Sequence, residues 1–160
     1  MEPRRRRPPF KGYGIPESEE GMLGWNWAAE RLEQARNYWV STSRPDGRPH
    51  AMPVWGIWLD DAFFFGSGSD SAKSRNLAAN PAIVVHLESG DETVILEGLA
   101  EQVLDDALER RVDEVYWPKY DLTPDSSGET DPWFVVRPRR AYAWTERSYP
   151  GSATQFDFDY

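Results

Sequence analysis

The segment Arg44-Pro45-Asp46-Gly47-Arg48 separates two runs of strand-forming residues, and Asp60-Asp61 reverses the chain again one strand later. Proline, aspartate and glycine in that order favour a tight turn. Before the turn stands Tyr-Trp-Val-Ser-Thr-Ser over residues 38–43. After it, His50, Met52 and Val54 alternate with Ala51, Pro53 and Trp55, and beyond Asp60-Asp61 come Ala62, Phe63, Phe64 and Phe65. Two hairpins in succession require antiparallel neighbours, because a parallel pair needs a long crossover. Further strands are predicted over residues 83–87 and 93–99, joined through Ser89-Gly90-Asp91, and over 134–137 and 141–144, with the alternating tail 155–160 as an added edge strand. About seven strands with two or three helices predict a mainly β fold, a closed or nearly closed antiparallel barrel with flanking helices.

Residues 1–22 are rich in proline, glycine and charge and read as an extended arm before a domain spanning 23–160. Arg4 to Arg7, followed by Phe10 and Lys11, look like the start of a twin-arginine export signal, but the chain continues Gly12-Tyr13-Gly14-Ile15-Pro16-Glu17 where an apolar stretch is needed. A solvated basic arm is expected, or one resting on the acidic body of a partner subunit. Trp25, Ala28, Ala29, Leu32 and Ala35 fall near helical spacing and predict a helix over 25–37. A short helix is predicted from Ala72 to about Asn80, stopped by Pro81, and another from Asp106 towards Trp117. Leu104, Leu108, Val112 and Val115 form its apolar stripe, and Asp106 with Glu109 resembles a capping box. Residues 118–132 read as a loop.

Acidic residues outnumber basic ones by 27 to 18, for a net charge of -9, so a nucleic-acid-tracking basic face is not expected and any anion must be held by a local cluster of donors. There is no cysteine, which excludes disulfides, thiolate nucleophiles and sulfur-based zinc sites, and His50 and His86 are too few for a three-histidine metal centre. No stretch is apolar enough to span a bilayer, and a cytoplasmic location is the expectation. No Gly-x-Ser-x-Gly elbow is present, so no catalytic residue and no metal ligand is assigned. A chain without its own reactive groups, yet with eight Trp and seven Phe to line a flat pocket, suits a borrowed cofactor.

The stretch from Gly66 to Leu77 carries most of the chemical information. Glycines leave a strand, Ser71 is placed to cap the next helix, and Lys73 sits in its first turn. Opening amides without internal acceptors, the positive dipole end, the Lys73 ammonium and the hydroxyls of Ser71 and Ser74 together suit a phosphate, with Arg75 as a second charge. A capped surface helix with two solvated cations is the other reading. Gly66-x-Gly68-x-x-Ser71 is also a near miss to the dinucleotide fingerprint, which would imply a nicotinamide-binding α/β domain; the serine in place of the third glycine and the surrounding hairpins speak against it. In the strand His50 to Trp55, Pro49 and Pro53 cannot donate to a ladder, so an edge, a bulge or a partly unpaired face is expected, where a heteroaromatic ring could use free backbone groups. His50 is a candidate contact, whereas His86 is read as structural.

Thr42-Ser43-Arg44-Pro45-Asp46-Gly47-Arg48-Pro49-His50, Pro53-Val54-Trp55, Ser71-Ala72-Lys73-Ser74-Arg75-Asn76-Leu77-Ala78-Ala79-Asn80-Pro81 and Leu96-Glu97-Gly98 together resemble the flavin and deazaflavin oxidoreductase superfamily, the pyridoxamine 5'-phosphate oxidase-like split barrels. The resemblance runs from about Trp25 to the C-terminus. It implies a six-stranded antiparallel split barrel forming a homodimer, with cofactor sites in the dimer groove. His50, Ala51, Met52, Pro53, Val54 and Trp55 would flank the ring. Gly66, Ser67, Ser71, Lys73, Ser74 and Arg75 would take the phosphate, with Thr93 nearby. Trp117, Lys119, Tyr120 and Trp144 of the second subunit would close the groove. Ala72 and Gln155 stand where relatives often carry arginine. The region from Trp25 to Gly47 looks most like the branch using the deazaflavin F-420, with FMN as the alternative cofactor. The implied activity is hydride transfer to a small-molecule electrophile; a non-catalytic flavin or haem carrier of the same fold is the alternative.

Overall fold

Both hairpins form. In the computed structural model, which describes residues 2–123 and 131–160, the strands are Arg4–Arg6 (β1), Tyr38–Ser43 (β2), Pro49–Val54 (β3), Ile57–Leu59 (β4), Ala62–Gly66 (β5), Ala82–His86 (β6), Glu92–Gln102 (β7), Trp133–Thr145 (β8) and Thr154–Asp157 (β9). The helices are Trp25–Gln34 (α1), Ala72–Ala79 (α2) and Asp106–Lys119 (α3). The order across the sheet is β1-β9-β8-β7-β6-β2-β3, while β5 joins β8 and carries β4 on its other side. Every pairing is antiparallel, which removes the nicotinamide-binding α/β alternative.

The described residues hold nine strands, more than the six or seven expected. Three physical reasons account for the excess. The run 49–59 divides at Gly56, where a Cβ would lie 2.5 Å from the Phe63 ring, so the chain turns tightly against β5 there. The arm supplies β1. The tail becomes β9, lying between β8 and β1 and not at an edge. Conversely, the two late strands merge into the single long β8. A bulge opposite Glu97 and Gly98 bends it, so that residues 133–136 pair with β5 and residues 140–143 with β9. Gly98 permits this bend: a Cβ would sit 2.6 Å from the Arg137 carbonyl.

Alternation places the core. Tyr38 and Val40, Val94 and Leu96, Ala141 and Ala143 point inward and are essentially inaccessible, joined by Phe63, Phe65, Val85 and Phe156. Trp25, Ala28 and Leu32 of α1 close this interior. β5 is covered on both faces: Phe63 and Phe65 enter the barrel, while Phe64 packs outside with Ile57, Val112 and Trp133 under α3. Each buried phenylalanine contributes about 2 kcal/mol.

The helix ends differ from expectation. α1 stops at Gln34 because Ala35 is already extended. Asp105, not Asp106, caps α3 by accepting from the amides of Ala107 and Leu108. Leu104 therefore lies outside the helix and is 83% exposed, and the buried stripe is Leu108, Val112 and Tyr116 at four-residue spacing, with Val115 turned out. α3 continues through Pro118 and Lys119, shortening the loop expected over 118–132, of which residues 124–130 lie outside the described residues.

The arm docks as an edge strand while the side chains of Arg4, Arg5 and Arg6 stay exposed, and its acidic partner belongs to its own chain. Arg4, Arg5 and Arg6 pair with Asp157, Phe156 and Gln155, and the Asp157 carboxylate takes Arg6 at 2.7 Å. Arg7 donates to four carbonyls, those of Ser18, Glu20, Gly151 and Ala153. Phe10 then packs on the rings of Tyr142 and Trp144. No described helix is long and apolar enough to cross a membrane.

Candidate functional site

β3 is an edge of the sheet, as Pro49 and Pro53 require, bonded to β2 on one side only. Its register puts His50, Met52 and Val54 opposite Thr42, Val40 and Tyr38, hence towards the interior, and Ala51 and Pro53 opposite Ser41 and Trp39 on the outer face. α2 docks beside the inner side: the buried Asn76 side chain donates to Thr42 Oγ1 at 3.0 Å. That buried bond ties the middle of α2 to β2, the strand that pairs with β3.

The start of α2 is capped by Ser71, whose hydroxyl accepts from the Ser74 amide. Ser67, Ser71 and Ser74 form a closed triangle of hydroxyls at 2.7, 3.1 and 3.1 Å. The serines predicted to contact a phosphate thus bind one another, and Ser67 and Ser74 are buried; their geometric role is to shape the loop leaving Gly66. Lys73 has no hydrogen-bond or ion-pair partner among the described residues. It lies close enough to His50 for its charge to act there: partial burial, then the charges of Arg44 and Lys73, hold the imidazole below the usual histidine range. His50 Nδ1 is buried and unpartnered. A half-buried neutral imidazole, a free ammonium and a guanidinium therefore converge beside β3.

Arg44 also lines a cleft of about 300 Å³ with Arg48, Arg75, Ala72 and Asn76. Its guanidinium donates to the Pro49 carbonyl, Arg75 to the Asp70 carbonyl, and Arg48 pairs with Asp46 at 2.8 Å. Three arginines around one cleft form a cationic spot on a chain of net charge -9. The sequence shows Arg44 and Arg48 as turn residues within the Thr42–His50 motif and not as site residues; what signals them is their position on both sides of a hairpin turn whose register brings it beside α2.

The other expected site residues lie elsewhere in the chain. Thr93 is buried, donates to the Gly90 carbonyl and stands on β7 opposite Trp144, three strands from β3 and roughly 14 Å away across the sheet. Trp117 is half-buried on α3, edge-on to Tyr116. Lys119 and Tyr120 reach the β3–β4 connection of their own chain. Lys119 Nζ donates to the Tyr38 hydroxyl at 2.8 Å and to the Gly56 carbonyl at 3.1 Å, and burial brings it down to about 8. The Tyr120 hydroxyl accepts from the Gly56 amide and faces the carbonyls of Gly56 and Arg36. Gln155 is fully buried, pairs with Arg6 of β1 and donates to the Asp157 carboxylate. No cluster of metal-ligating side chains exists among the described residues.

The strand β8, shared between two parts of one antiparallel sheet, and the edge strand beside a cation-bearing helix start define a split-barrel domain. The chain belongs to the pyridoxamine 5'-phosphate oxidase family, whose model matches residues 27–145. It is 32% identical over 130 residues to a pyridoxine/pyridoxamine 5'-phosphate oxidase of Azorhizobium caulinodans, covering 77% of this chain and 51% of that protein, so it spans about half the length of that relative. A conserved hypothetical protein from Mycobacterium tuberculosis shares the fold with a TM-score of 0.70 at 24% identity, over 80% of this chain and 88% of that one. An F420 reductase is 27% identical with a TM-score of 0.55, over 70% and 94% of the two chains.

Proposed function

We propose that this chain is an oxidoreductase that holds a phosphorylated deazaflavin, F-420, or alternatively FMN, along β3 and the start of α2, and transfers a hydride between it and a small electrophile such as an activated alkene or quinone. The observation that carries the reading is the convergence of unpaired Lys73, Arg44 and the orphaned His50 Nδ1 beside an edge strand. Those groups fit an anion attached to a polar ring. The family match supports a flavin-type cofactor, and the 27% identical F420 reductase favours F-420.

The bound ring supplies the hydride chemistry. Lys73 neutralises a phosphate, which the amides opening α2 also attract. The serine triangle keeps Gly66 and Ser67 in the shape that admits it. Arg44, Arg48 and Arg75 take further negative charge in their cleft. His50, kept neutral, offers one ring nitrogen to a polar edge, while β3, lacking amide donors at Pro49 and Pro53, leaves free backbone groups along its outer edge. Trp55 and Met52, exposed at the strand, exclude water from one side of the ring.

A homodimer completes this reading. The outer face of the sheet carries Trp39 stacked on His86 with Ile95 half-buried beside them, and Tyr142 and Trp144 follow, partly covered by Phe10 of the arm. A second copy seated there would bring Trp117 and Trp144 over the groove. Lys119 and Tyr120 already use their polar atoms within the chain and act from beneath β3.

Titration of the protein with F-420 and with FMN, followed by tryptophan quenching and cofactor fluorescence, tests the reading. Lys73→Ala should weaken binding about 10- to 100-fold, the range of a charge-assisted hydrogen bond, without lowering the unfolding temperature. Unchanged affinity rejects the phosphate assignment. Tight binding of either cofactor, or of haem, without turnover over a broad panel of alkenes and quinones replaces the enzyme with a carrier.

A further inference from the structure

Gly56 is the most tightly gripped residue of the β3–β4 connection. Its amide donates to the Tyr120 hydroxyl at 2.9 Å, and its carbonyl faces that hydroxyl at 2.8 Å and Lys119 Nζ at 3.1 Å. Lys119 bonds onward to Tyr38, whose hydroxyl donates to the Leu32 carbonyl. The last turn of α3 is thereby tied to the end of α1, the start of β2 and the end of β3 through the side chains of Lys119, Tyr120 and Tyr38. The residue immediately before Gly56 is Trp55, 38% exposed although it is among the largest apolar side chains in the molecule.

Trp55 is nonetheless held rigidly. Its ring stacks on Tyr120 with centroids 4.6 Å apart and planes 8° from parallel. The Arg36 guanidinium lies 5.1 Å from the Trp55 centroid and 5.6 Å from that of Tyr120. These three distances form a nearly equilateral triangle, so Arg36 sits at the rim of the stack. A guanidinium on the far face of Trp55 would be roughly twice the stacking distance from Tyr120. The face of Trp55 turned away from Tyr120 therefore carries no ring or guanidinium among the described residues. A fixed indole that keeps 38% of its surface exposed, at the end of an edge strand, is shaped to receive a flat ring.

We propose that Lys119 and Tyr120 are positioning residues that hold Trp55 as a rigid aromatic wall, against whose face turned away from Tyr120 the cofactor ring stacks. The inference rests on the ring-site reading of β3 given above and extends it to residues that do not themselves touch the ring. Lys119 acts through Gly56, and Tyr120 through both Gly56 and the indole.

The test combines binding with a readout that needs no cofactor. Trp55→Leu should weaken F-420 or FMN binding roughly tenfold, and Lys119→Met and Tyr120→Phe about threefold to tenfold each. The double variant Trp55→Leu/Lys119→Met should bind no more weakly than Trp55→Leu alone, because both changes remove one wall; independent losses would multiply. With 5-fluorotryptophan incorporated, the Trp55 fluorine resonance, identified by its loss in Trp55→Leu, should be narrow in the wild type. It should move and broaden in Lys119→Met and Tyr120→Phe, while the resonance of buried Trp25 stays in place and reports an intact fold. An unmoved Trp55 resonance in both folded variants, or multiplicative losses in the double variant, overturns the proposal. Failure of the wild type to bind either cofactor overturns the ring-site reading and the stacking with it, while the resonance still decides separately whether Lys119 and Tyr120 fix Trp55.

Discussion

Lys119 Nζ lies 2.8 Å from the Tyr38 hydroxyl, so the end of α3 reaches the start of β2 through an ammonium that burial has made a weaker base. Few charged groups in the molecule are so enclosed. The pair therefore governs how the fold responds to alkali.

Stability should rise and then fall as the solution becomes alkaline. Lys119 titrates at about 8 in the fold and lysine near 10.4 in an unfolded chain. Below the first value both states are charged, and the fold bears the desolvation penalty. Between about pH 8 and 10.4 the unfolded chain binds more protons, so stability increases with pH. Lys119 is only partly buried, and solvent screening limits the gain to about 1 kcal/mol. Burial pushes Tyr38 far up and Tyr120 up to about 12. Above about pH 10 unfolded phenols ionise while these two do not, and stability falls. Urea unfolding across this range should show a maximum near pH 9 to 10 in the wild type, and Lys119→Met should lose the rising limb while keeping the fall. A wild-type curve that only falls from pH 8 upward contradicts the assignment.

Gly56→Ala and Gly98→Ala should each destabilise the fold by about 3 kcal/mol or more, because backbone or a packed ring occupies the space of the new methyl group. At Gly56 a Cβ would meet the Phe63 ring at 2.5 Å and the Phe64 carbonyl at 2.6 Å; at Gly98 it would meet the Arg137 carbonyl at 2.6 Å. Gly90→Ala, with nothing within 4 Å, serves as the control and should shift the denaturation midpoint little.

Asn76→Ala should cost about 2 kcal/mol by leaving the Thr42 hydroxyl buried without its donor. It should also weaken binding of anionic cofactors, since α2 loses its anchor to β2. Thr42→Val combined with Asn76→Leu should recover part of the stability and little of the binding, a split visible by pairing calorimetry with titration.

The arm should detach in acid. Burial acts to raise the Asp157 carboxyl, but the Gln155 amide and the guanidinium groups of Arg6 and Arg140 outweigh it and hold the group below the usual carboxylate range. Its contribution is present above the unfolded carboxylate range and is lost as pH falls through the lower folded value. The hydrogen-exchange protection factors of Arg4–Arg6, taken relative to the unfolded-chain rate at each pH, should therefore fall in acid before the barrel opens. Asp157→Asn should bring that behaviour to neutral pH, and Arg7→Ala should expose residues 8–20 to proteases with little change in the barrel's unfolding temperature.

Much of the site's framework was legible because it is local. The turn Arg44-Pro45-Asp46-Gly47-Arg48, the capped start of α2 at Ser71 and the edge character of β3 follow from residues whose backbone preferences act within a few positions. The polar partners were not legible in the same way. Ser67, Ser71 and Ser74 offer three hydroxyls on paper, and only the folded loop shows that they satisfy one another. Lys119 falls in the stretch 118–132 that reads as a loop, and nothing near it in sequence reveals Tyr38, 81 residues away, as its acceptor.

From the chain alone came the mainly antiparallel β architecture, the three helices and the family, since alternation, helical spacing and turn chemistry are written over short windows. Tertiary structure alone decided the docking of the arginine-rich arm as β1, the division of the strand at Gly56, the bend at Gly98 and the orphaned nitrogen of His50. Each of those depends on how closely distant segments approach, and close approach is set by packing across the whole barrel and not by local preference.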